Sequence, residues 1–221
     1  MNLEGKIVKL RAVERADLEV LKDLRNEHLG DNIFRQYRPL TSKDQDGYWD
    51  HVINHENFIV FTICIPEVDI SEKEISVFTD EGSRHFQTRK GWKVVGECRI
   101  GYISWRNGWS ELGIFLGKEV MGKGYGREAL YLLMEYAFMN LGLHSIRAET
   151  VTEKVKDIFQ EFGFTYIGTT EGTTFKDGWY HPDHILELYD SSWMGKREAI
   201  YDESVEPHLE KADTAIQDTI R

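Results

Sequence analysis

The stretch Met121-Gly122-Lys123-Gly124-Tyr125-Gly126-Arg127 most constrains this chain, because it joins the apolar run Glu111 to Leu116 to the amphipathic run Ala129 to Met139. A strand that ends in glycines and opens straight into a helix gathers unpaired N–H groups and the positive end of a helix dipole at one point. Such a point binds phosphate. Two other phosphate loops are excluded by their spacing. The pattern Gly-x-x-x-x-Gly-Lys-Ser/Thr fails because no Lys-Ser or Lys-Thr follows these glycines, and Gly-x-Gly-x-x-Gly would place Arg127 where its third glycine belongs. The bland alternative is a tight strand-to-helix turn with no ligand.

What the stretch resembles is the acetyl-CoA loop of the GNAT N-acetyltransferase superfamily, Arg/Gln-x-x-Gly-x-Gly/Ala, with Met121 in the first place and Gly124 and Gly126 in the others. The resemblance implies an α/β (α+β) fold over residues 6 to 193: a central, mostly antiparallel mixed sheet splayed at its fourth and fifth strands and flanked by helices. It also implies that Met121, Gly122, Lys123, Gly124, Tyr125, Gly126 and Arg127 surround the CoA pyrophosphate, while backbone groups of Ile114 and Leu116 meet the pantetheine amides. A second motif is similar to the ribosomal-protein and polyamine branches, Val-Asn-x-x-Ser ending in Gly-Phe. Here Val151-Thr152 leads to Gly163-Phe164 at that spacing, with Trp193 nearby. Thr152 stands where an asparagine would hold pantetheine and offers one hydroxyl donor. Phe159 stands where other branches carry a tyrosine that protonates the leaving thiolate, and it has no proton to give.

The length of 221 residues suits one domain with an extension rather than two domains. The expected division is an N-acetyltransferase domain at 1–193 and a helical extension at 194–221. No run approaches the roughly 18 apolar residues that span a bilayer. Met1 to Arg11 lacks a basic start followed by an apolar stretch, so no membrane partner and a cytoplasmic location are expected. Cys64 and Cys98 have no metal-ligand spacing, so neither a metal site nor a disulfide is expected. The net charge of -11 argues against a nucleic-acid surface, which shows as a basic patch.

Periodicity predicts an edge-type strand at 6–12, a helix at 16–28, and a second helix from Ser42 with the capping pattern Ser42-x-x-Gln45. Strands follow at 57–65, ended by Pro66, and at 92–105, with a solvated hairpin or long loop between them that holds a short β island at 75–79. Further strands are expected at 110–116, 145–151, 164–168 and 184–189, with helices from the glycine loop to about Leu141 and from Glu153 to Phe162. Leu209, Ala212, Ile216 and Ile220 share one helical face. This terminal segment is expected to dock on the domain's own flank or on a second copy as a homodimer, or else to be a solvated tail.

Acetyl transfer needs a deprotonated amine set against the thioester carbonyl and a group to take its proton. The resemblance points to Glu111, at the entry of the fourth strand, as that base, with Glu97 on the third strand as second candidate. Strand alternation alone leaves the facing of Glu111 open. Lys123 and Arg127 would add charge near the phosphates. Tyr125, Tyr48 and Trp49 read as packing residues, and His144, His181 and His184 as structural ones. The expected partners are acetyl-CoA as co-substrate and a small-molecule or peptide amine. The opening around Arg25, Arg35 and Arg38 resembles amino-sugar nucleotide acetyltransferases, and the later half resembles enzymes acting on protein N-termini or polyamines. A CoA-binding regulatory module without turnover is the rival reading.

Overall fold

The computed structural model describes residues 2–29, 36–68, 76–77, 84–85 and 89–209. Its strands are β1 (Asn2–Glu4), β2 (Lys9–Ala12), β3 (Ile59–Val68), β4 (Ser76–Val77), β5 (Arg84–His85), β6 (Arg89–Ser104), β7 (Trp109–Leu116), β8 (Ser145–Thr150), β9 (Thr165–Thr169), β10 (Thr174–Lys176), β11 (Trp179–His181) and β12 (His184–Tyr189). One mixed sheet of 8 strands runs in the order β1-β2-β3-β6-β7-β8-β12-β9. Every adjacent pair in it is antiparallel except β7 with β8. The mixed α/β architecture is the one the resemblance implies.

Among the described residues, five α-helices flank the sheet: α1 (Leu18–Glu27), α2 (Ser42–Tyr48), α3 (Tyr125–Glu135), α4 (Glu153–Glu161) and α5 (Asp190–Ile200). Helices α2, α3 and α5 each continue through one wider turn, to Ile53, Asn140 and Val205. Leu18 and Leu21 of α1 pack with Val60 of β3 and Phe115 of β7, so α1 and α2 cover one face. A larger core joins Leu130, Leu133 and Met134 of α3, Phe159 of α4 with Phe162 just past its end, and Trp193 of α5 to Ile63, Ile100, Ile146 and Leu186 of the sheet. Burying apolar stripes on both faces is what a two-sided sheet requires.

Several sequence expectations are corrected. Residues 6–8 are not strand; they form the turn between β1 and β2, where their amides donate to the Glu128 carboxylate. The capping box of α2 starts one residue earlier than the spacing predicts, at Thr41 with Asp44, because Asp44 both receives the Thr41 amide and donates its own to Thr41 Oγ1. Pro66 does not end β3. Past Cys64 the strand has no β2 partner, so a residue without an N–H is tolerated opposite Trp92. Between β9 and β12 the chain forms a hairpin, β10 to β11, closed by Asp177 and Gly178, both at positive φ (51° and 85°) as a two-residue turn demands.

Helix α5 begins directly after β12 and passes through position 193. Its indole Trp193 is fully buried and donates Nε1–H to Glu135 at 3.0 Å, while Arg197 reaches the same carboxylate at 3.0 Å. Val205 and Leu209 are buried too, so the segment up to Leu209 packs on the domain's own flank. Ala212, Ile216 and Ile220 lie outside the described residues, as does Arg35. Among the described residues no helix is long and apolar enough to cross a membrane.

Candidate active site

Strands β7 and β8 are paired in parallel only at Trp109, Ser110 and Glu111, opposite Ser145, Ile146 and Arg147. Beyond Glu111 they part. At about 3.3 Å per residue, the wedge between Glu111 and Leu116 is about 17 Å deep along β7. Its mouth is the glycine loop. Gly122 and Gly124 have φ of 78° and 92°, the left-handed region that glycine takes at no steric cost. Among the described residues, the amides of Gly122, Lys123, Gly124 and Gly126 donate to no backbone acceptor, whereas Arg127 and Glu128 donate back to the Gly124 carbonyl. The loop and the first turn of α3 thus set a run of amides without backbone acceptors at the mouth of a splayed pair of strands, an arrangement that suits an anion.

The loop's neighbours qualify the roles expected of its side chains. A Cβ on Gly124 would stand 2.6 Å from the His208 carbonyl oxygen, so the C-terminal segment, not only a ligand, forbids a side chain there. The Arg127 guanidinium is paired with Glu161 at 2.5 Å and donates to the Ser204 carbonyl at 3.1 Å, which makes it a tie between α3, α4 and the C-terminal segment. Tyr125 is buried in the core, Met121 is exposed and Lys123 half-buried. Ile114 and Leu116 line β7 within the wedge, and the Leu116 carbonyl accepts a hydrogen bond from His28 Nε2 at 2.7 Å. Across the wedge, Thr152 caps α4 without a side-chain bond and lines a cavity of about 320 Å³ with Val151, Glu153, Thr174 and His181. Phe159 is a core residue stacked near Phe164.

Both candidate carboxylates stand on the face under α1 and α2. Glu97, Arg99 and Gly101 occupy alternate positions of β6 opposite Phe115, Gly113 and Glu111 of β7, and Phe115 packs under α1. Glu97 is 3% exposed and accepts the Tyr48 hydroxyl at 2.6 Å through Oε1, while Oε2 has no hydrogen-bond partner among the described residues. Burial pushes the Glu97 carboxyl up, against the opposing pull of the Tyr48 hydroxyl and the Arg25 and Arg99 charges. Burial likewise raises the Tyr48 phenol, with Glu97 adding to the effect. For Arg99, burial works against the charge, and Tyr48 and Glu97 outweigh it. The Arg25 guanidinium lies over the Tyr48 and Phe115 rings at 5.6 and 5.9 Å.

Tyr48 and Arg99 beside Glu97 are the functional candidates that sequence reasoning missed; the alternation Glu97-x-Arg99-x-Gly101 was the available signal. Arg38 is engaged by Asp44, at 2.9 and 2.6 Å, as part of the α2 cap. His144 pairs with Asp190 and His184 with Glu153, both at structural junctions.

Because folding raises the Glu97 carboxyl, the native state binds its proton more tightly than the unfolded chain. The resulting stabilisation is complete below the ordinary glutamate value and is lost as pH rises through the folded value. Glu97→Gln is therefore expected to flatten the decline of thermal stability from mildly acid to neutral pH. An unaltered profile would mean that Glu97 ionises as freely as an exposed glutamate.

A family model described as an acetyltransferase (GNAT) domain matches residues 8–165, from the start of β2 to the start of β9. The spermidine N(1)-acetyltransferase of Vibrio cholerae is 24% identical over 192 residues, which is 86% of this chain and 96% of that protein. An uncharacterized N-acetyltransferase of Bacillus licheniformis, p20, is 36% identical over 66 residues, 30% of this chain and 37% of that protein. The crystal structure of Vibrio cholerae spermidine N-acetyltransferase in complex with CoA and spermine has the same fold, with a TM-score of 0.65 at 22% identity over 86% of this chain and 99% of that one. The splayed strands and the glycine loop coincide with the region that the family model spans, and the chain belongs to the GNAT acetyltransferase family, which makes it an N-acetyltransferase.

Proposed function

We propose that this protein moves an acetyl group from acetyl-CoA to a primary amine by direct transfer. The observation that carries the reading is the run of amides without backbone acceptors at Gly122, Lys123, Gly124 and Gly126, set at the mouth of the β7–β8 wedge. These amides suit a pyrophosphate, and the wedge suits an extended arm whose reactive end stops where the strands close, beside Glu111. When bound, acetyl-CoA supplies an acyl carbonyl on a thiol leaving group. The chain's own part is to hold the arm along Ile114 and Leu116, with Thr152 on the opposite side, and to set an amine against that carbonyl. The amine nitrogen bonds to the carbonyl carbon as the carbon–sulfur bond breaks, and Glu111, directly or through water, takes the proton the nitrogen releases. Phe159 leaves the thiolate to water, which a thiol-like pKa permits.

The amine acceptor is proposed at the face under α1 and α2, where Glu97, Tyr48 and Arg99 meet. Relatives named for spermidine favour a small amine; amino-sugar nucleotides and protein N-termini belong in the same screen. Self-association is expected from the terminal stripe, and the spermidine N-acetyltransferase of Vibrio cholerae forms a dodecamer; light scattering of the purified protein reads the state of this chain.

Saturating acetyl-CoA, at about 100 times its Kd, is expected to add about 2.7 kcal/mol of stability, roughly 5–10 °C in Tm for a protein of this size. Gly126→Val is the variant to compare. Its Cβ meets only the Leu116 side chain, at 3.2 Å, and its φ is not in the left-handed region, so the fold tolerates it while the loop narrows. Calorimetry should show at least a tenfold loss of CoA affinity in Gly126→Val; equal affinities would remove the loop from the binding site. Thiol release on an amine panel separates an enzyme from a module that only binds CoA.

A further inference from the structure

The face under α1 and α2 carries a feature that acetyl transfer as such does not need. Gly113, the register partner of Arg99, leaves bare backbone on β7 two residues from Glu111, and the Arg99 side chain lies across it. A Cβ on Gly113 would stand 2.8 Å from Arg99 Nε, so this glycine makes room for the guanidinium stem, whereas the space over Gly101 is filled first by the Phe58 ring, 3.0 Å from where a Cβ would stand. Glu111 is the diagonal neighbour of Arg99 across the strands, about 7–8 Å away between Cα atoms. Arg147, opposite Glu111 on β8, has Glu187 at 3.6 Å, and Glu97, two positions from Arg99, accepts from Tyr48, whose hydroxyl also meets the Arg99 guanidinium and so helps to hold it.

A half-buried guanidinium beside the base presents a planar fork suited to a carboxylate or phosphate. A second ammonium group on the acceptor, as in a polyamine, would meet like charge there in a partly desolvated place. The overall charge of -11 repels anions at long range, so an anionic ligand requires a local cation of this kind.

Resting on the acetyl-transfer reading, we propose that the acceptor is a primary amine that also bears an anionic group, and that Arg99 is the residue that binds this group while Glu111 faces the amine. The specificity of the site is then for a small zwitterionic amine.

Thiol release from acetyl-CoA with matched acceptors tests this: β-alanine against β-alaninamide, phosphoethanolamine against ethanolamine, and spermidine. In the wild type, kcat/KM for at least one anionic member should exceed that for its neutral partner tenfold or more, and the carboxylate and phosphate pairs tell which anion is read. Arg99→Gln should erase that preference, chiefly by raising KM for the anionic member. Comparing wild type with variant inside one pair cancels the difference in amine basicity. Gly113→Ala keeps the arginine but displaces its stem, and should shift the preference in the same direction. Spermidine or the neutral amines turning over best, no turnover of any anionic acceptor, or an equal loss for both members of a pair in Arg99→Gln overturns the proposal. Absence of acetyl-CoA binding in calorimetry overturns the reading beneath it.

Discussion

Glu111→Gln is expected to lower kcat with an amine acceptor by roughly 10²–10⁴-fold, the range of a lost general base, while CoA affinity changes little. The expectation follows from where β7 and β8 part. Glu111 is the last residue of β7 paired with β8, so a ligand arm lying in the wedge ends beside it, and its facing is shared with Gly113 and Phe115, toward α1 and α2. Glutamine keeps the size and loses the proton acceptor. Glu97→Gln is the comparison: Glu97 lies opposite Phe115, four residues along β7 and therefore about 13 Å from Glu111, too far to take the same proton. Its effect on kcat should stay below about tenfold. Stopped-flow thiol release with the two variants decides, and wild-type turnover in Glu111→Gln would remove that residue from the proton path.

The parts of this protein that could be read in the sequence are local ones. The glycine loop, the apolar runs of β7 and β8 and the stripe of α4 are each contained in a dozen residues, where spacing is sufficient. The parts that were missed depend on register or on distant backbone. Alternation along β7 says that Glu111 and Gly113 share a face but not which face, and only the pairing with β6 settles it. Tyr48 reads as packing because nothing near it in sequence reveals Glu97, and Arg99 becomes visible only when Gly113 is seen opposite it across the strands. Gly124 reads as a phosphate residue alone, yet the His208 carbonyl presses on it from the far end of the chain. Even the cap of α2 was displaced by one residue, because Thr41 and Ser42 are both capable and the choice lies with the Asp44 carboxylate that reaches back.

Removing the Glu128 carboxylate should produce the largest loss of stability from a single side chain outside the apolar core. Glu128 stands in the first turn of α3, is 1% exposed, and accepts the amides of Lys6, Ile7 and Val8 at 2.6, 2.9 and 2.7 Å. Burial pushes its carboxyl up, and the amides of Ile7, Lys6 and Val8 oppose that shift. Glu128→Ala would leave three backbone donors facing an apolar gap. Donors stranded in this way cost on the order of 3 kcal/mol together, or more. In a protein of this length that is roughly 6–12 °C in Tm. Glu128→Gln retains one acceptor and should lose about half as much. Gly5 supplies an independent check, since a Cβ there would stand 2.4 Å from the Glu128 carboxyl carbon. Gly5→Ala should therefore be destabilising in the wild type and nearly neutral in the Glu128→Ala background, a coupling that a double-mutant cycle by thermal or denaturant unfolding measures directly. Additive effects of the two substitutions, or a Tm within about 2 °C of wild type for Glu128→Ala, would mean that the carboxylate does not tie the β1–β2 turn to the helix that follows the glycine loop.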